Sequence, residues 1–286
     1  MTTEDFRDHS APSRDGVRIG WQQLGRGPAL VVASGGSRAG KHYRELARCL
    51  ASRFTVVLMD RRGRGASGPH GPGHGLATEI EDLAAVMQAT RAERLFGHSA
   101  GAIFALEAAR VLPVRALAVY DPPVAVHRLI DMAWTVDVAR AVERGQGGRA
   151  MAAVIHGLQL GGGMPRWLLV PLCGLMMRGA EGREMMALLG TWVHEEAAIR
   201  ALDPDPSRYA DVRCPTLLLG GTKSPAWLHR ALDLAQGALP DARRVMLDGV
   251  AHNAPDQEAP ARVADQLAAF FAEAGAAPAQ LPSCAR

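Results

Sequence analysis

Cysteine is sparse in this chain. Its four cysteines, Cys49, Cys173, Cys214 and Cys284, stand far apart and have neither the paired spacing of a zinc site nor that of a redox motif, so they are expected to be free thiols in a reducing compartment. No run of about 18 apolar residues occurs, which speaks against a membrane-spanning helix. The opening stretch MTTEDFRDHSAPSRDG is polar and acidic and contains no apolar segment of the kind a signal peptide needs. A basic stripe is missing as well. Lys and Arg total 32 against 29 Asp and Glu, and the arginines are scattered, which argues against a nucleic-acid partner. There are no internal repeats. These absences lead to an expectation of a soluble cytoplasmic protein whose partner is a small-molecule substrate, with no nucleic acid, no membrane and an open oligomeric state.

What is present is enough apolar material for a large core: 48% of the 286 residues are hydrophobic and 21% charged. Short apolar runs alternate with amphipathic stretches, the pattern of a mostly parallel sheet flanked by helices. VRIGWQQL from Val17, ALVVA from Ala29, FTVVLM from Phe54, RLFG from Arg94, RALAVY from Arg115, TLLLGG after Cys214 and RRVMLD from Arg243 are the strand candidates. Helices are expected over Tyr43 to Ser52, Thr78 to Thr90, residue 100 to about Leu112, Ala226 to Ala238 and Pro260 to Ala274. After Asp121-Pro122-Pro123 the alternation stops, and residues 124–206 read as helical with glycine breaks at GQGG and GGG. The expected organisation is a core of residues 1–123 and 207–274, a helical insertion over 124–206, and a frayed small-residue tail over 275–286.

Gly97-His98-Ser99-Ala100-Gly101 matches the nucleophile elbow G-x-S-x-G in the context that gives the motif meaning, a strand before it and a helix after it. The turn forces the serine into strained backbone angles, and glycine at the flanking positions avoids a clash. A serine hydroxyl needs a base. His252, in LDGVAHNAPD beyond the last strand, lies in a loop at the carboxyl edge of the sheet and follows the serine in chain order. His98 should point into the core, and His70 and His74 sit in GPHGPGHG, where glycine and proline exclude the helix on which their spacing would matter. No metal site and no cofactor are expected. Donors for an oxyanion are the backbone N–H of Ala100 and one from the SGGSRAG loop, where Gly36 is favoured. Arg61, Arg62 and Arg64 stand among glycines and read as a solvated loop rather than a phosphate clamp.

With these pieces placed, the chain resembles the α/β-hydrolase superfamily over almost its whole length, and more narrowly its small actinobacterial-type serine hydrolases with a helical cap. VVASGG, MDRRGRGASG, LFGHSAG, VYDPP, PTLLLGG and GVAH carry the resemblance. It departs from the family at two places: Ser34-Gly35 stands where His-Gly is usual, and no carboxylate follows LLLGG. The acid must therefore come from elsewhere at the same sheet edge. Asp121, ending the strand beside the nucleophile strand, is favoured, and some members of the superfamily place their acid there. Asp248 lies close to His252 along one loop, Asp203 and Asp205 occupy the proline turns of LDPDP, and Asp211 precedes its strand; a dyad without an acid remains open.

The resemblance implies a cofactor-free hydrolase of a carboxylic ester, lactone or thioester acting through an acyl-enzyme on Ser99, with a biosynthetic cyclase or isomerase, or a ligand-binding protein, as the alternatives. Seven of the eleven methionines and three of the five tryptophans fall in 124–206. Trp134, Trp167, Met176 and Trp192 are the candidates for an adaptable apolar pocket, unless these side chains only pack the helices of the insertion together. His156, Arg166, Glu195 and Glu196 are expected to face solvent.

Overall fold

Strands covered on both faces need apolar side chains at every position rather than at alternate ones, and the central runs of this chain have them. In the computed structural model, which describes residues 5–276 except Pro72, Asp203 and Pro204, these runs form β3 (Ala29–Ala33), β4 (Thr55–Met59), β5 (Arg94–His98), β6 (Ala116–Tyr120) and β7 (Thr216–Gly221). With β1 (Arg7–Pro12), β2 (Arg18–Leu24) and β8 (Ala242–Leu247) they make one sheet in the order β1-β2-β4-β3-β5-β6-β7-β8. All pairings from β4 to β8 are parallel, whereas β2 runs antiparallel to both β1 and β4.

The period of two divides the core. Val31, Ala33, Val57, Leu95, Val119 and Leu218 face one side of the sheet. Leu30, Val32, Val56, Phe96, Ala118 and Leu219 face the other. On the first side pack α2 (Leu76–Thr90), α3 (Ala100–Ala109) and α9 (Ala226–Ala238); on the second lie α1 (Arg44–Leu50) and α10 (Pro260–Ala276). The α/β architecture read from the sequence is thus the one observed. The edge strand β1 was not among the expected elements, because its residues RDHSAP are almost all exposed and carry no apolar alternation. The helix expected from Tyr43 begins instead with a 3-10 turn over Gly40–Tyr43. At the other end α10 continues through Ala276, into what was expected to be tail; residues 277–286 lie outside the described residues.

Between β6 and β7 run α4 (Val126–Leu129), α5 (Thr135–Glu143), α6 (Gly147–Gly157), α7 (Arg166–Met176) and α8 (Gly179–Arg200). Of these, α5, α6 and α8 share a small core, with Val138, Ala150, Val154, Leu189 and Trp192 buried in it, while α7 packs on α6 and α4 on α9. No helix among the described residues is long and apolar enough to cross a membrane.

The topology singles out one place for chemistry. The chain leaves β3 toward β4 on one side and returns to β5 on the other. Loops diverge where strand order reverses, which opens a crevice at the carboxyl ends of β3 and β5.

Candidate active site

Ser99 follows β5 directly and takes φ 53 and ψ −120, a conformation that an L-residue holds only when its surroundings enforce it. Its N–H donates to the Tyr120 carbonyl at 3.0 Å. The two flanking glycines are there because nothing else fits. A Cβ on Gly97 would lie 2.6 Å from the Gly101 carbonyl oxygen, and one on Gly101 would lie 2.3 Å from the Ala33 carbonyl oxygen. Gly101→Ala should therefore lower stability by about 3 kcal/mol, read as a shift in the urea midpoint. Gly237→Ala, where a new Cβ meets nothing within 4 Å, should leave it unchanged or slightly raised; equal effects at the two positions would contradict the steric argument.

Ala100 is the first residue of α3, so its N–H has no acceptor within the helix and carries the positive end of the helix dipole. Across the crevice, the loop after β3 presents Gly35 and Gly36. A Cβ on Gly35 would stand 3.4 Å from the Ser99 Cβ, and one on Gly36 would meet Trp192 at 2.7 Å. Trp192 thus leaves no room for a side chain at Gly36, whereas a Cβ at Gly35 would be in close contact with Ser99 and His98 without overlapping them.

Asp121 directly follows β6, has φ 45 and is fully buried. Its Oδ2 accepts a hydrogen bond from His252 Nδ1 at 3.0 Å and another from Ser224 Oγ at 2.6 Å. A carboxylate on Nδ1 fixes the tautomer in which that nitrogen carries the proton and Nε2 is the free base. The loop that bears His252 is pinned from several directions. Tyr120 Oη donates to the Ala251 carbonyl at 2.8 Å, the Lys223 N–H to the Val250 carbonyl at 2.9 Å, and the Ala251 N–H to Glu258 Oε2 at 2.8 Å. The other acid candidates are engaged elsewhere. Asp248 is exposed and accepts from Thr222 Oγ1 at 3.2 Å; Asp205 accepts from the Ser207 N–H at 3.0 Å; Asp211 pairs with Arg110 at 3.2 Å. Asp203 lies outside the described residues.

His98 is buried as expected, but it is also a strut. Its Nε2 donates to the His252 carbonyl at 2.9 Å, and its Nδ1 accepts from Tyr43 Oη at 2.6 Å. Tyr43 Oη in turn accepts the Gly35 N–H at 3.0 Å. One neutral imidazole thus joins the β3 loop to the His252 loop. Burial holds its pKa well below the ordinary 6.5. His70 rests among imidazoles, 4.3 Å from His74 and 4.7 Å from His194 between ring centroids, and burial followed by the charges of those two rings pushes it down to about 3. Among the described residues no group of three or more His, Cys, Asp or Glu side chains is arranged to hold a metal ion.

The lowered histidines give a sign for pH dependence. Below 6.5 the unfolded chain takes up protons that the folded chain refuses, so stability present above 6.5 is lost as pH falls toward 3. Asp15 and Glu79, both held at about 2, lose their contributions only below their ordinary values of 3.8 and 4.5. The urea midpoint should therefore drop between about pH 7 and pH 5, in the histidine window. A flat or rising midpoint there would refute it.

Two expectations about polar groups are overturned. Arg61, Arg62 and Arg64 are 0%, 1% and 3% exposed rather than solvated. They are buried because partners meet them from several elements: Glu79 and Asp82 on α2, Asp15 before β2, Glu195 and Thr191 on α8, and the carbonyls of the β3 loop. Buried charges persist only when paired in this way. For the same reason Glu195 and Glu196 are buried: Glu195 lies between Arg61 and Arg64, while Glu196 pairs with Arg200 at 2.6 Å. His156 and Arg166 are exposed.

Above the crevice is a cavity of about 330 Å³, the size of a small-molecule site. Its floor includes Gly35, Gly36, Ser99, Ala100 and His252, and its walls are largely apolar, with Met151, Val154, Leu158, Met176, Trp192 and Trp227 among them. Trp192 and Met176 line it. Trp134 does not; it stacks behind Trp192 at 5.6 Å and packs against Gly157. Trp167, expected to line the pocket, does not: it is 74% exposed, on the outward side of α7, away from the cavity.

Comparison with known proteins agrees with this fold. The model of the alpha/beta hydrolase family matches residues 30–266. The chain is similar to the N-formylmaleamate deformylase of Pseudomonas putida, 28% identical over 286 residues, covering 92% of this chain and 93% of that protein. Among solved structures, an alpha/beta hydrolase from Sphaerobacter thermophilus superposes with a TM-score of 0.78 at 32% identity, covering 92% of this chain and 100% of that one. An esterase from a Rhodococcus species shares the fold, with a TM-score of 0.67 at 20% identity over 94% and 99% of the two chains.

Proposed function

The chain belongs to the alpha/beta hydrolase family, and from that premise we propose a serine hydrolase that cleaves a carboxylic ester, lactone or thioester with an apolar acyl or polycyclic part. The observation that carries the reading is the His252 Nδ1 to Asp121 Oδ2 bond of 3.0 Å beneath a cavity whose floor His252 shares with Ser99. In this reading Ser99 Oγ attacks the acyl carbon and gives its proton to His252 Nε2. The negative charge that develops on the carbonyl oxygen is met by the N–H groups of Gly36 and Ala100. His252 then delivers the proton to the leaving oxygen or sulfur, and the acyl group stays on Ser99. Water, deprotonated by the same imidazole, releases the acid and restores the serine. Every group in this cycle belongs to the protein, so no cofactor is invoked.

Residues 124–206 act as a cap in this reading, and the deformylase relative supports acyl transfer to water as the shared chemistry. The methionine and tryptophan walls favour an apolar acyl group over a charged one. A panel of p-nitrophenyl esters of graded chain length, with lactones and thioesters beside it, tests this. Burst kinetics and kcat/KM rising from acetate to medium chains are expected. A folded protein that cleaves none of the panel and resists a fluorophosphonate would sink the reading in favour of a non-hydrolytic cyclase or a ligand-binding protein.

A further inference from the structure

Two adjacent glycines, Gly35 and Gly36, are a poor place from which to aim a catalytic N–H, because glycine peptides reorient cheaply. We propose that Arg64, aided by Arg61, is the positioning residue that fixes the direction of the Gly36 N–H, and that Glu195 on α8 ties that setting to the helical layer above. The inference rests on the reading of Gly36 as an oxyanion donor.

In a planar trans peptide the carbonyl of one residue and the N–H of the next point in opposite directions. No cis peptide bond occurs among the described residues. Holding the Gly35 carbonyl therefore sets the Gly36 N–H. Arg64 Nη1 donates to that carbonyl oxygen at 3.0 Å and Arg61 Nη2 approaches it at 3.5 Å. The peptide before it is held at both ends, the Ser34 carbonyl by Arg61 Nε at 3.1 Å and the Gly35 N–H by Tyr43 Oη at 3.0 Å. Arg64 Nη1 also donates to the Arg38 carbonyl at 2.6 Å, closing the loop on itself. With the carbonyl of the Gly35–Gly36 unit drawn down to the arginines, its N–H is left on the opposite side, where Gly36 lines the cavity.

A fork of donors suits this task better than a point charge, since one guanidinium reaches several oxygens at fixed angles. Burying two such groups requires countercharge, supplied by Glu79 on α2 and Glu195 on α8. α8 meets the loop on more than one side: Glu195 and Thr191 bond the arginines behind it, and Trp192 packs on Gly36 in front. The direction of the donor thus depends on α8 being seated.

Arg64→Lys keeps the charge but gathers its donors on one nitrogen, which cannot reach the Gly35 carbonyl, the Arg38 carbonyl and Thr191 together. The experiment compares wild type and variant in steady-state turnover of the best panel ester, and in inhibition by a trifluoromethyl ketone, which forms a tetrahedral adduct on Ser99, against its methyl ketone counterpart, which mimics the ground state. The expected result is a kcat lower by about 10- to 100-fold with KM nearly unchanged, and a loss of similar size in affinity for the trifluoromethyl ketone alone. Equal loss for both ketones, or turnover like wild type, overturns the inference. Glu195→Gln, which retains an acceptor while removing the charge, should shift the same ratio in the same direction, and serves if Arg64→Lys does not fold. A wild-type enzyme that shows no preference for the trifluoromethyl ketone would instead defeat the reading of Ser99 and its oxyanion donors. A preference present in wild type and kept in both variants defeats the inference alone.

Discussion

Replacing Ser99 by alanine should lower ester turnover by about 10⁴- to 10⁶-fold and abolish labelling by a fluorophosphonate, while the protein stays folded. The change removes one oxygen. Alanine inherits the same backbone angles, φ 53 and ψ −120, so the strain at the elbow is neither relieved nor increased, and the Tyr120 carbonyl keeps its backbone donor. What disappears is the atom proposed to form the covalent bond. Residual turnover above the uncatalysed rate would come from the cavity and the N–H donors acting on a bound ester attacked by water. Because nucleophile and base act as a unit, His252→Ala added to Ser99→Ala should cost almost nothing further. The checks are intact-mass detection of the phosphonylated protein and initial rates on the panel ester. Labelling that persists in the folded Ser99→Ala variant would place the nucleophile elsewhere and defeat the assignment.

The parts legible in the sequence were those whose cause is local. Uninterrupted apolar runs announced the buried strands, and the strand-glycine-serine-glycine-helix context announced the elbow, because a Cβ at either glycine would strike backbone only a few residues away or on the adjoining strand end. β1 was illegible since it lies at an exposed edge and contributes hydrogen bonds rather than apolar surface. The burial of the DRRGRG arginines is not legible in the sequence because partners are remote: Glu195 is 134 residues from Arg61, and nothing in either segment advertises the other. A run of arginines flanked by small residues at a strand end is ambiguous until the carbonyls it will hold are known. The outward position of Trp167 is illegible for a related reason, since composition gives the number of aromatic residues in a segment but not which face of α7 each one takes.

LLLGGTKS illustrates both cases. No carboxylate stands there, yet the stretch still borders the site. A Cβ on Gly220 would lie 2.9 Å from Asp121 Oδ1, and one on Gly221 would lie 2.2 Å from the Val250 carbonyl oxygen. The glycines leave room for the carboxylate of β6 on one side and the His252 loop on the other. Ser224, three residues on, donates to Asp121 Oδ2. Pattern alone could not find Ser224, because a serine before a proline at a helix start has an ordinary explanation as turn chemistry.

Asp121→Asn should lower kcat by about 10⁴-fold with little change in KM, and the reason is charge and tautomer rather than geometry. The carboxylate can only accept from His252 Nδ1, which leaves Nε2 free to take the serine proton. An asparagine presents either its oxygen or its NH₂ at the Oδ2 position, which His252 Nδ1 and Ser224 Oγ share. With the oxygen there, the negative charge that stabilises the imidazolium is gone; with the NH₂ there, Nδ1 becomes the acceptor, Nε2 carries the proton, and the base is lost. Stability should not fall, because a buried charge is replaced by a neutral group of the same shape. Ser224→Ala, which frees one lone pair on Asp121 without altering its charge, should cost about tenfold or less. Asp248→Asn should cost nothing, since Asp248 accepts from Thr222 at the surface. Stopped-flow measurement of p-nitrophenol release separates acylation from turnover in each variant. If Asp121→Asn acylates within tenfold of wild type, or if Asp248→Asn is the slower of the two, the acid is not the residue at the end of β6.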